Sequence, residues 1–444
     1  MDEQRLRPGY HNLPRREILA LIPKEATAVL DLGCGTGELG KALKQRQRCF
    51  YAGVELNKEA AEAAAQNIDK VWRDNLNRFD PAGANRKFDC IIFADILEHL
   101  LYPWPILNKF TSCLTDDGFV IASLPNIAHP WIIKELQRGL FRYGPAGILD
   151  ATHLRFFTQT SIFQMFYQAG LKIQLIRPYP SAENPIQFHI IARKPKLKCK
   201  EAVATILILS YNTWPYTIRT IDSIKRFTKT PHKILVIDNG STDGTIAYLR
   251  ADREIYHIEN SCNLGFARGF NVGLQLVDTP YFILSNSDIV VTQNWLTKML
   301  DVINTDEKLV CLGPMSNYVS GPQKFEGVPY RNLEEMHAWA TNFKPDAIKT
   351  PRYFQRIVFF FTLFKSQVLA KTGFLDERYE LGNFEDDDYC LRILGQGGKC
   401  AFDTSTFIHH YGSQTFKKNK IDYKKVMEKN KERFLKKWRL PQAR

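Results

Sequence analysis

The strongest constraint on this chain is a rhythm of short apolar runs and helix-like stretches that occurs twice. The first series runs from Ala28 to Leu124, and the second begins at Thr205, after a basic and poorly patterned segment at Lys194–Val203. Apolar runs that alternate with helical stretches predict βαβ units. A length of 444 residues also suits two cores. We therefore predict an α/β fold with two doubly wound, Rossmann-like domains in tandem, over residues 1–195 and 203–444.

Composition excludes several classes of protein. The chain is 44% hydrophobic and 24% charged, which is ordinary for a globular protein. Its longest apolar run, Ile357–Phe364, is far shorter than the roughly 18 to 20 residues that span a bilayer. Met1–Pro8 lacks the apolar core of a secretory signal, so we expect a cytoplasmic protein. Nine scattered cysteines without a Cys-x-x-Cys pair predict free thiols.

The net charge of +13 predicts attraction to polyanions, which include nucleic acids, anionic lipids and diphosphates. Much of the excess lies between Lys417 and Arg439. From Asp422 onward, apolar residues recur at helical intervals, which predicts a basic amphipathic helix at the C-terminal end. Such a helix either packs on its domain with a solvated outer face, or makes peripheral contact with the anionic inner face of a membrane.

The segment Val29–Gly40 reads as a strand, a glycine-rich turn and the start of a helix. Its glycines, Gly33, Gly35 and Gly37, allow a sharp turn and a close approach to a ligand. Glu55 ends the following strand, where a carboxylate can accept hydrogen bonds from ribose hydroxyls. A NAD site is the alternative, but the turn lacks the glycine spacing that seats a pyrophosphate on a helix N-terminus.

Two further strands of the first series are also followed by acids: Asp74 after the third, and Asp95 and Glu98 after the fourth. This succession resembles the class I S-adenosylmethionine-dependent methyltransferases. The resemblance implies that Asp31 and the three glycines hold the amino-acid part of S-adenosylmethionine. It also implies that Glu55 holds the ribose and Asp74 the adenine amino group, and it places Asp95 in the same site.

The segment Asp150–Ile173 resembles part of the methyltransferases of glycan gene clusters. By this resemblance His153 takes a proton from an acceptor hydroxyl, and Arg155 binds an anionic group of the acceptor. The alternative is that both residues only cap and tie down a helix that starts near Ser161.

In the second series, Asp238 comes to the carboxyl end of a strand, where ligands bind in open parallel sheets. Asp238 and Asp243 flank a turn that contains Asn239 and is able to bind a base and ribose, although by itself it reads as a helix cap. Four later segments begin at Asn263, Tyr281, Gly373 and Phe407. Their order and spacing resemble the family 2 glycosyltransferases of the GT-A fold over nearly all of Ala202–Phe416.

This second resemblance implies a nucleotide-sugar site and a site for a divalent metal, Mg²⁺ or Mn²⁺. Asp288 is the implied metal ligand, completed by His410 or, less favourably, His409; the preceding residues are Asn286 and Ser287, so only one carboxylate is present. The implied nucleotide-sugar residues are Asn212, Asp238, Asn239, Asp243, Asn263, Gly265 and Asn271.

Direct displacement with inversion needs one general base beside the acceptor hydroxyl. The family match points to Asp386 as this catalytic base, with Glu385 next. Asp388 is predicted to pair with Arg392 at helical spacing instead. Bulky side chains at Phe359–Phe361 are expected to reshape the acceptor side.

The sequence favours a bifunctional transferase of bacterial surface-glycan assembly. It would move a sugar from a nucleotide-sugar donor to a glycan or lipid-linked glycan acceptor, and methylate a sugar hydroxyl. The alternative is a glycosyltransferase whose first domain methylates RNA, or only binds cofactor or glycan. Because no aromatic and basic RNA-binding motif is found, no nucleic-acid partner is expected.

Overall fold

The computed structural model describes residues 15–197, 201–343, 350–412, 414–419 and 422–439. The chain divides between Pro195 and Lys196 into two compact units. Each unit has its own large sheet, with seven strands in the first and eight in the second. Within the described ranges, every helix is too short or too polar to span a bilayer.

The first unit is built on a sheet that is parallel over most of its width. The strands are β1 (Ala28–Leu32), β2 (Phe50–Glu55), β3 (Lys70–Arg73), β4 (Phe88–Ala94), β5 (Leu114–Pro125), β6 (Lys172–Tyr179) and β7 (Gln187–Arg193). The helices are α1 (Arg16–Leu19), α2 (Glu38–Arg46), α3 (Lys58–Ala64), α4 (Pro103–Thr111), α5 (Pro130–Gln137) and α6 (Gln159–Gln168). The sheet order is β3-β2-β1-β4-β5-β7-β6.

Strands β3, β2, β1, β4 and β5 run parallel, and β7 is antiparallel to both β5 and β6. Leu30, Ile91 and Ile92 on the central strands are fully buried, as expected where both faces of a sheet are covered. The doubly wound fold predicted for the first series is therefore confirmed, with an antiparallel pair added at one edge. Because β1, β2 and β4 are parallel, the acids that follow them lie at one edge of the sheet.

The second unit has a mixed sheet. Its strands are β8 (Ala204–Ser210), β9 (His232–Asp238), β10 (Tyr256–Glu259), β11 (Tyr281–Asn286), β12 (Ile289–Val290), β13 (Leu309–Met315), β14 (Arg352–Tyr353), β15 (Phe361–Lys365), β16 (Lys399–Phe407) and β17 (His409–His410). Its helices are α7 (Trp214–Phe227), α8 (Thr245–Ala251), α9 (Phe266–Leu274), α10 (Trp295–Ile303), α11 (Leu333–Thr341), α12 (Gln367–Thr372), α13 (Glu385–Gly395), α14 (Gln414–Lys418) and α15 (Tyr423–Trp438).

The large sheet has the order β10-β9-β8-β11-β15-β13-β16-β14. Its first four strands are parallel, and β15 runs antiparallel to both β11 and β13. Strands β12 and β17 form a separate antiparallel pair, which brings the end of β11 to the segment after β16. This small sheet assembles part of the site described below.

Two features of the second unit bear on the sequence predictions. The chain between β13 and β14 contains the helix α11. The basic helix is present as α15, and it turns Asn430 and Phe434 inward. Among the described residues, all cysteines are free thiols, and Cys311, Cys390 and Cys400 lie together in the core.

Candidate active sites

The glycine-rich turn between β1 and α2 holds Gly33, Gly35 and Gly37 at φ values of 77°, 53° and 77°. These left-handed conformations favour glycine. A Cβ atom on Gly33 would lie 2.5 Å from the side chain of Ile96, so the turn presses against the loop that follows β4. The backbone therefore needs glycine here for both its conformation and its close packing.

Glu55 connects this turn to the start of α3. Its Oε2 accepts a hydrogen bond from the Gly35 amide at 2.9 Å, and its Oε1 accepts one from the Asn57 amide at 2.8 Å. The residue is only 7% exposed. Since each carboxylate oxygen can accept a second bond, both remain able to receive a ligand hydroxyl.

Asp31 lies beside the turn, where β1 ends. It is 3% exposed and accepts a hydrogen bond from the Tyr51 hydroxyl at 2.8 Å. Burial raises the pKa of Asp31 to about 6, although Tyr51 and the nearby Arg15 favour the charged form. A positively charged ligand group would therefore stabilise the carboxylate.

Asp74 and Asp95 follow β3 and β4. The amide of Asp74 donates to the Glu55 carbonyl at 3.2 Å, which sets Asp74 beside the end of β2. Asp95 has a φ of 52°, accepts a hydrogen bond from Ser123, and forms an ion pair of 2.8 Å with Arg15. Sequence reasoning missed Arg15, because a single arginine before the first strand belongs to no motif.

Glu98, His99 and His153 form a cluster next to this edge of the sheet. The Glu98 carbonyl accepts hydrogen bonds from the Leu154 and Arg155 amides at 2.8 and 3.0 Å, so the loop after β4 is joined to the segment that carries His153. The rings of His99 and His153 lie 4.8 Å apart.

The N-terminus of α6 is capped by Thr158 and Ser161, which form a capping box. The suggestion that His153 and Arg155 cap this helix is therefore wrong. His153 instead bonds the Ile148 carbonyl through Nδ1, at 2.9 Å.

The second unit contains a cavity of about 820 Å³ at the carboxyl ends of β8 and β11. Side chains from distant parts of the sequence meet there. The predicted site residues that line it are Asn239, Asn263, Gly265, Asp288, Glu385, Asp386 and His410.

Asp288 and His410 are brought together by the pairing of β12 with β17. His410 Nε2 lies 3.1 Å from Asp288 Oδ1, and His410 Nδ1 donates to the Tyr318 carbonyl at 2.7 Å. Burial acts to raise the pKa of Asp288, but His410 and backbone hydrogen bonds, among them one from the Gln414 amide, together hold the pKa below its ordinary value. His409 points elsewhere, and its Nδ1 is hydrogen-bonded to the Tyr330 hydroxyl at 2.8 Å.

One carboxylate oxygen and one imidazole nitrogen are a donor set that suits Mn²⁺ and Mg²⁺ with additional oxygen ligands. Asp288 is 4% exposed and lies on the cavity wall, with His410 Nε2 directed at it. These residues therefore fit a divalent cation.

Carboxyl groups at the start of α13 form another wall of the cavity. Glu385 and Asp386 are 5% and 6% exposed, and burial raises the pKa of both. Asp387 forms an ion pair of 2.9 Å with Arg356, and burial raises its pKa to about 7. Asp388 bonds Arg392 at 2.9 Å, which confirms the predicted structural pair.

The loop before α13 is held in an unusual backbone conformation. Glu380, Asn383 and Phe384 have φ values of 48°, 74° and 70°, which cost energy in residues other than glycine. The α15 side chain Asn430, 1% exposed, donates to the Tyr379 carbonyl at 2.5 Å and to the Gly382 carbonyl at 2.8 Å. Helix α15 thus stabilises the loop that leads into the acids.

Asp238 and Asn239 form the turn after β9. Asp238 Oδ2 accepts hydrogen bonds from the Gly240 and Ser241 amides, while its buried Oδ1 has no hydrogen-bond partner within the described residues. Burial raises the pKa of Asp238 to about 6. Asn239 donates to the Gly265 carbonyl at 2.9 Å and so joins this turn to the start of α9.

Four predicted nucleotide-sugar residues, Asp238 and the three that follow, make hydrogen bonds within the protein and do not line the cavity. Asp243 accepts from the amides of Trp214 and Thr245, in the turn before α8. Asn271 bonds both backbone polar groups of Leu375. Asn212 accepts from the Thr242 amide at 2.7 Å and donates to Asn419. Their side chains hold the surrounding loops together.

Sequence reasoning missed several residues of the cavity wall. Arg356 stands in a stretch without a motif, and Tyr423 and Met427 come from α15, which was predicted to pack on its domain or to contact a membrane but not to line the site. The three phenylalanines predicted to reshape the acceptor side lie in different surroundings. Phe359 and Phe360 line the cavity, whereas Phe361 packs against Trp295 in the core.

Comparison with known families gives two matches, one in each unit. The model of the methyltransferase domain family matches residues 4–176. The model of glycosyl transferase family 2 matches residues 205–370. The chain joins a methyltransferase domain to a family 2 glycosyltransferase domain. The family resemblances found in the sequence are thereby confirmed.

Relatives match one domain each. An uncharacterized glycosyltransferase of Haemophilus influenzae is 29% identical over 25% of this chain and 36% of its own. A ubiquinone biosynthesis O-methyltransferase of Neisseria meningitidis is 26% identical over 33% of this chain and 63% of its own. A teichoic acid poly(glycerol phosphate) polymerase of Staphylococcus epidermidis is 24% identical over 30% and 19%. The chain thus spans less than two thirds of the length of each.

Solved structures resemble each domain separately. GalNAc-T7 with UDP, GalNAc and Mn²⁺ matches 47% of this chain and 43% of its own, with 16% identity and a TM-score of 0.38. An S-adenosylmethionine-dependent methyltransferase from Clostridium acetobutylicum matches 38% of this chain and 84% of its own, with 16% identity and a TM-score of 0.30.

Proposed function

We propose that this chain is a bifunctional transferase of bacterial surface-glycan assembly. The glycosyltransferase domain transfers a sugar from a nucleotide-sugar to a glycan or lipid-linked glycan acceptor, with inversion. The methyltransferase domain methylates a sugar hydroxyl. The observation that carries the proposal is the meeting of Asp288 and His410 with the buried acids Glu385 and Asp386 around one cavity.

In the methyltransferase domain, S-adenosylmethionine supplies a methyl group on a sulfonium centre. Asp31 pairs with the ammonium group of its amino-acid part, and Glu55 accepts hydrogen bonds from its ribose. Gly33, Gly35 and Gly37 keep the turn free of side chains, so that the ligand approaches the backbone. The acceptor hydroxyl lies against the cluster that contains His153.

In the glycosyltransferase domain, Asp386 removes the proton from the acceptor hydroxyl, and Glu385 is the second candidate for this base. A base at this position has to be buried beside the acceptor and keep a pKa near the working pH, and both acids are buried with raised pKa values. Asn239 contacts the nucleotide, and Asp238 holds the turn that carries Asn239 through the Gly240 and Ser241 amides. When bound by Asp288 and His410, Mg²⁺ or Mn²⁺ offsets the charge that develops on the diphosphate leaving group.

The charge of α15 and the chemistry of the substrates support an acceptor located at the membrane. The exposed lysines of α15 carry the positive charge that would meet an anionic lipid surface. Contact with the inner face of the membrane brings the enzyme to lipid-linked acceptors, while both donors are metabolites of the cytoplasm. The similarity to a teichoic acid polymerase supports surface-glycan chemistry.

The proposal is tested by a thermal-shift panel of UDP-, dTDP- and GDP-sugars, each with Mn²⁺, and of S-adenosylmethionine. A ligand at 100 times its dissociation constant stabilises the domain that binds it by about 2.7 kcal/mol. We expect one class of nucleotide-sugar to stabilise the glycosyltransferase domain and S-adenosylmethionine to stabilise the methyltransferase domain. Each stabilisation should be independent of the other ligand. The proposal fails if no nucleotide-sugar stabilises the chain, and the methyltransferase half of it fails if S-adenosylmethionine does not.

Glu55→Ala tests the placement of the cofactor. Loss of a charge-assisted bond should weaken binding of S-adenosylmethionine by about 1.5 to 3 kcal/mol. Calorimetric titration measures this, with the exposed Glu59→Ala as the control. Unchanged affinity of the Glu55 variant would mean that the cofactor binds elsewhere.

A further inference from the structure

Glu98, His99 and His153 of the methyltransferase domain offer one ligand atom each, and these three atoms lie within 4.8 Å of one another. Atoms coordinated to one ion at about 2.0 to 2.2 Å are themselves about 3 to 4 Å apart. The three atoms therefore lie within about 1 Å of the spacing that ligands on one ion have.

The side chain of Glu98 is deeply buried in the methyltransferase domain. The residue is 1% exposed, and its Oε2 has no hydrogen-bond partner in the part of the chain that the structure describes. Burying a carboxylate oxygen without a partner is costly. The nearby cation Arg15 is already bound to Asp95 at 2.8 Å and to Glu17 at 2.6 Å.

Both histidines are oriented in the way that metal-binding histidines are. His153 Nδ1 lies 2.9 Å from the Ile148 carbonyl oxygen, and His99 Nδ1 lies 3.2 Å from the Thr152 carbonyl oxygen. A carbonyl only accepts, so each Nδ1 carries the proton and each Nε2 keeps a free lone pair. A hydrogen bond from the second ring nitrogen to a carbonyl is the usual support for a histidine ligand.

We propose that Glu98, His99 and His153 bind a divalent cation of the Mn²⁺, Fe²⁺ or Zn²⁺ class, and that the acceptor hydroxyl is a further ligand of this cation. Two imidazoles and one carboxylate are a set that leaves positions open for a substrate. The site is separate from the one at Asp288 in the glycosyltransferase domain. Its role in methylation rests on the function proposed above, whereas its binding of a cation does not.

The cation has a defined effect on the reaction. Coordination lowers the pKa of the hydroxyl, so that its proton passes to solvent water. The oxygen then forms a bond to the methyl carbon, the carbon–sulfur bond breaks, and its electron pair stays on sulfur as the neutral thioether. His153 is then a ligand and not the base, because its Nε2 lone pair is taken by the cation.

The test uses the full chain with Asp288→Asn and His410→Gln, so that the glycosyltransferase site does not contribute. Calorimetric titration with Mn²⁺ and with Zn²⁺ should show one equivalent bound. Adding Glu98→Gln or His153→Gln should weaken the binding by about 100-fold or more. The matched control is His129→Asn, which replaces a helix-capping histidine of the same domain with another capping residue.

Binding of S-adenosylmethionine is measured on the same samples, and shows both that the domain is folded and whether its proposed function holds. The cation site is refuted if the Asp288→Asn, His410→Gln chain binds neither metal. It is also refuted if Glu98→Gln and His153→Gln leave the affinity for metal unchanged. Failure of the unsubstituted chain to bind S-adenosylmethionine would refute the methyltransferase function. The result on metal binding would not be affected.

Discussion

The side-chain amide of Asn430 donates a hydrogen bond of 2.8 Å to the carbonyl oxygen of Gly382. Through this bond, and a second one to Tyr379, helix α15 holds the loop whose left-handed residues lead directly into Glu385 and Asp386. The helix is therefore part of the glycosyltransferase site as well as a basic surface. Asn430 is a positioning residue, since it acts on the carboxyl groups through the loop.

Asn430→Ala should lower kcat for glycosyl transfer by about 10 to 100-fold, because a small displacement of the base is costly to the reaction. KM for the nucleotide-sugar should change little, since its contacts lie on other loops. Steady-state kinetics separates the two constants, and Lys431→Ala on the exposed face of the same helix is the control. Equal loss of kcat in both variants would argue against a positioning role.

Asp386→Asn should reduce glycosyl transfer by about 10² to 10⁴-fold while nucleotide-sugar binding survives. In the unsubstituted chain, the rate should fall as pH drops through the raised pKa of Asp386, above the usual range of an aspartate. A pH profile of kcat/KM measures this, with Glu385→Gln as the comparison. Full activity of Asp386→Asn would move the role of base to Glu385.

Asp288→Asn should weaken nucleotide-sugar binding and the response to Mn²⁺ together, because the substitution removes the one carboxylate of the predicted metal site. Affinity for S-adenosylmethionine should not change, since that ligand is bound by the other compact unit and separate sites behave additively. Titrations of the same variant with each ligand measure the two affinities. A change in S-adenosylmethionine affinity would show that the two sites are coupled.

Binding of S-adenosylmethionine should weaken in acid. Burial raises the pKa of Asp31 to about 6, and the ammonium group of the ligand binds the charged carboxylate. Affinity should therefore be constant above this pH and fall about tenfold for each unit below it. Titration calorimetry at several pH values measures the trend, and Asp31→Asn should remove it. The same pH trend in the variant would assign it to another group.

Membrane contact through α15 should depend on lysines that are free of the protein's own acids. Lys429 and Arg433 already pair with Glu380, whereas Lys424 and Lys431 are exposed. Each lysine near an anionic surface contributes about 1 kcal/mol, so K424Q with K431Q should reduce flotation with anionic vesicles.

The matched control for this flotation assay is K41Q with K58Q, which neutralises two exposed lysines of the methyltransferase domain. Neutral vesicles should capture none of these proteins. Equal flotation of the unsubstituted chain with neutral and anionic vesicles would contradict electrostatic docking.

The sequence alone was sufficient to identify both families and the order of their motifs. The patterns that were used are local: acids at strand ends, glycine-rich turns and apolar periodicity. Such patterns determine strands, turns and helices through backbone sterics and burial, without reference to distant residues. Gly33, Glu55 and Asp238 were found in this way, and each lies at the carboxyl end of a strand or in the turn that follows it. Asp388 was also correctly paired with Arg392, because a spacing of four residues on a helix fixes neighbours.

Only the tertiary structure decided which side chains meet. Asp288 and His410 are brought together by a short strand pair that no local sequence pattern predicts. Asn430 forms a hydrogen bond with a loop that is distant in sequence. The two histidines beside Glu98 were also unpredictable as a group, because His99 and His153 come from separate segments that the Glu98 carbonyl ties together. Asn271 and Asp243 are the opposite case. Both belong to segments that the sequence assigned to the site, but in the folded chain their side chains form hydrogen bonds with backbone groups. Contacts between distant segments depend on how the sheet and its loops pack, and that information is spread over the whole chain.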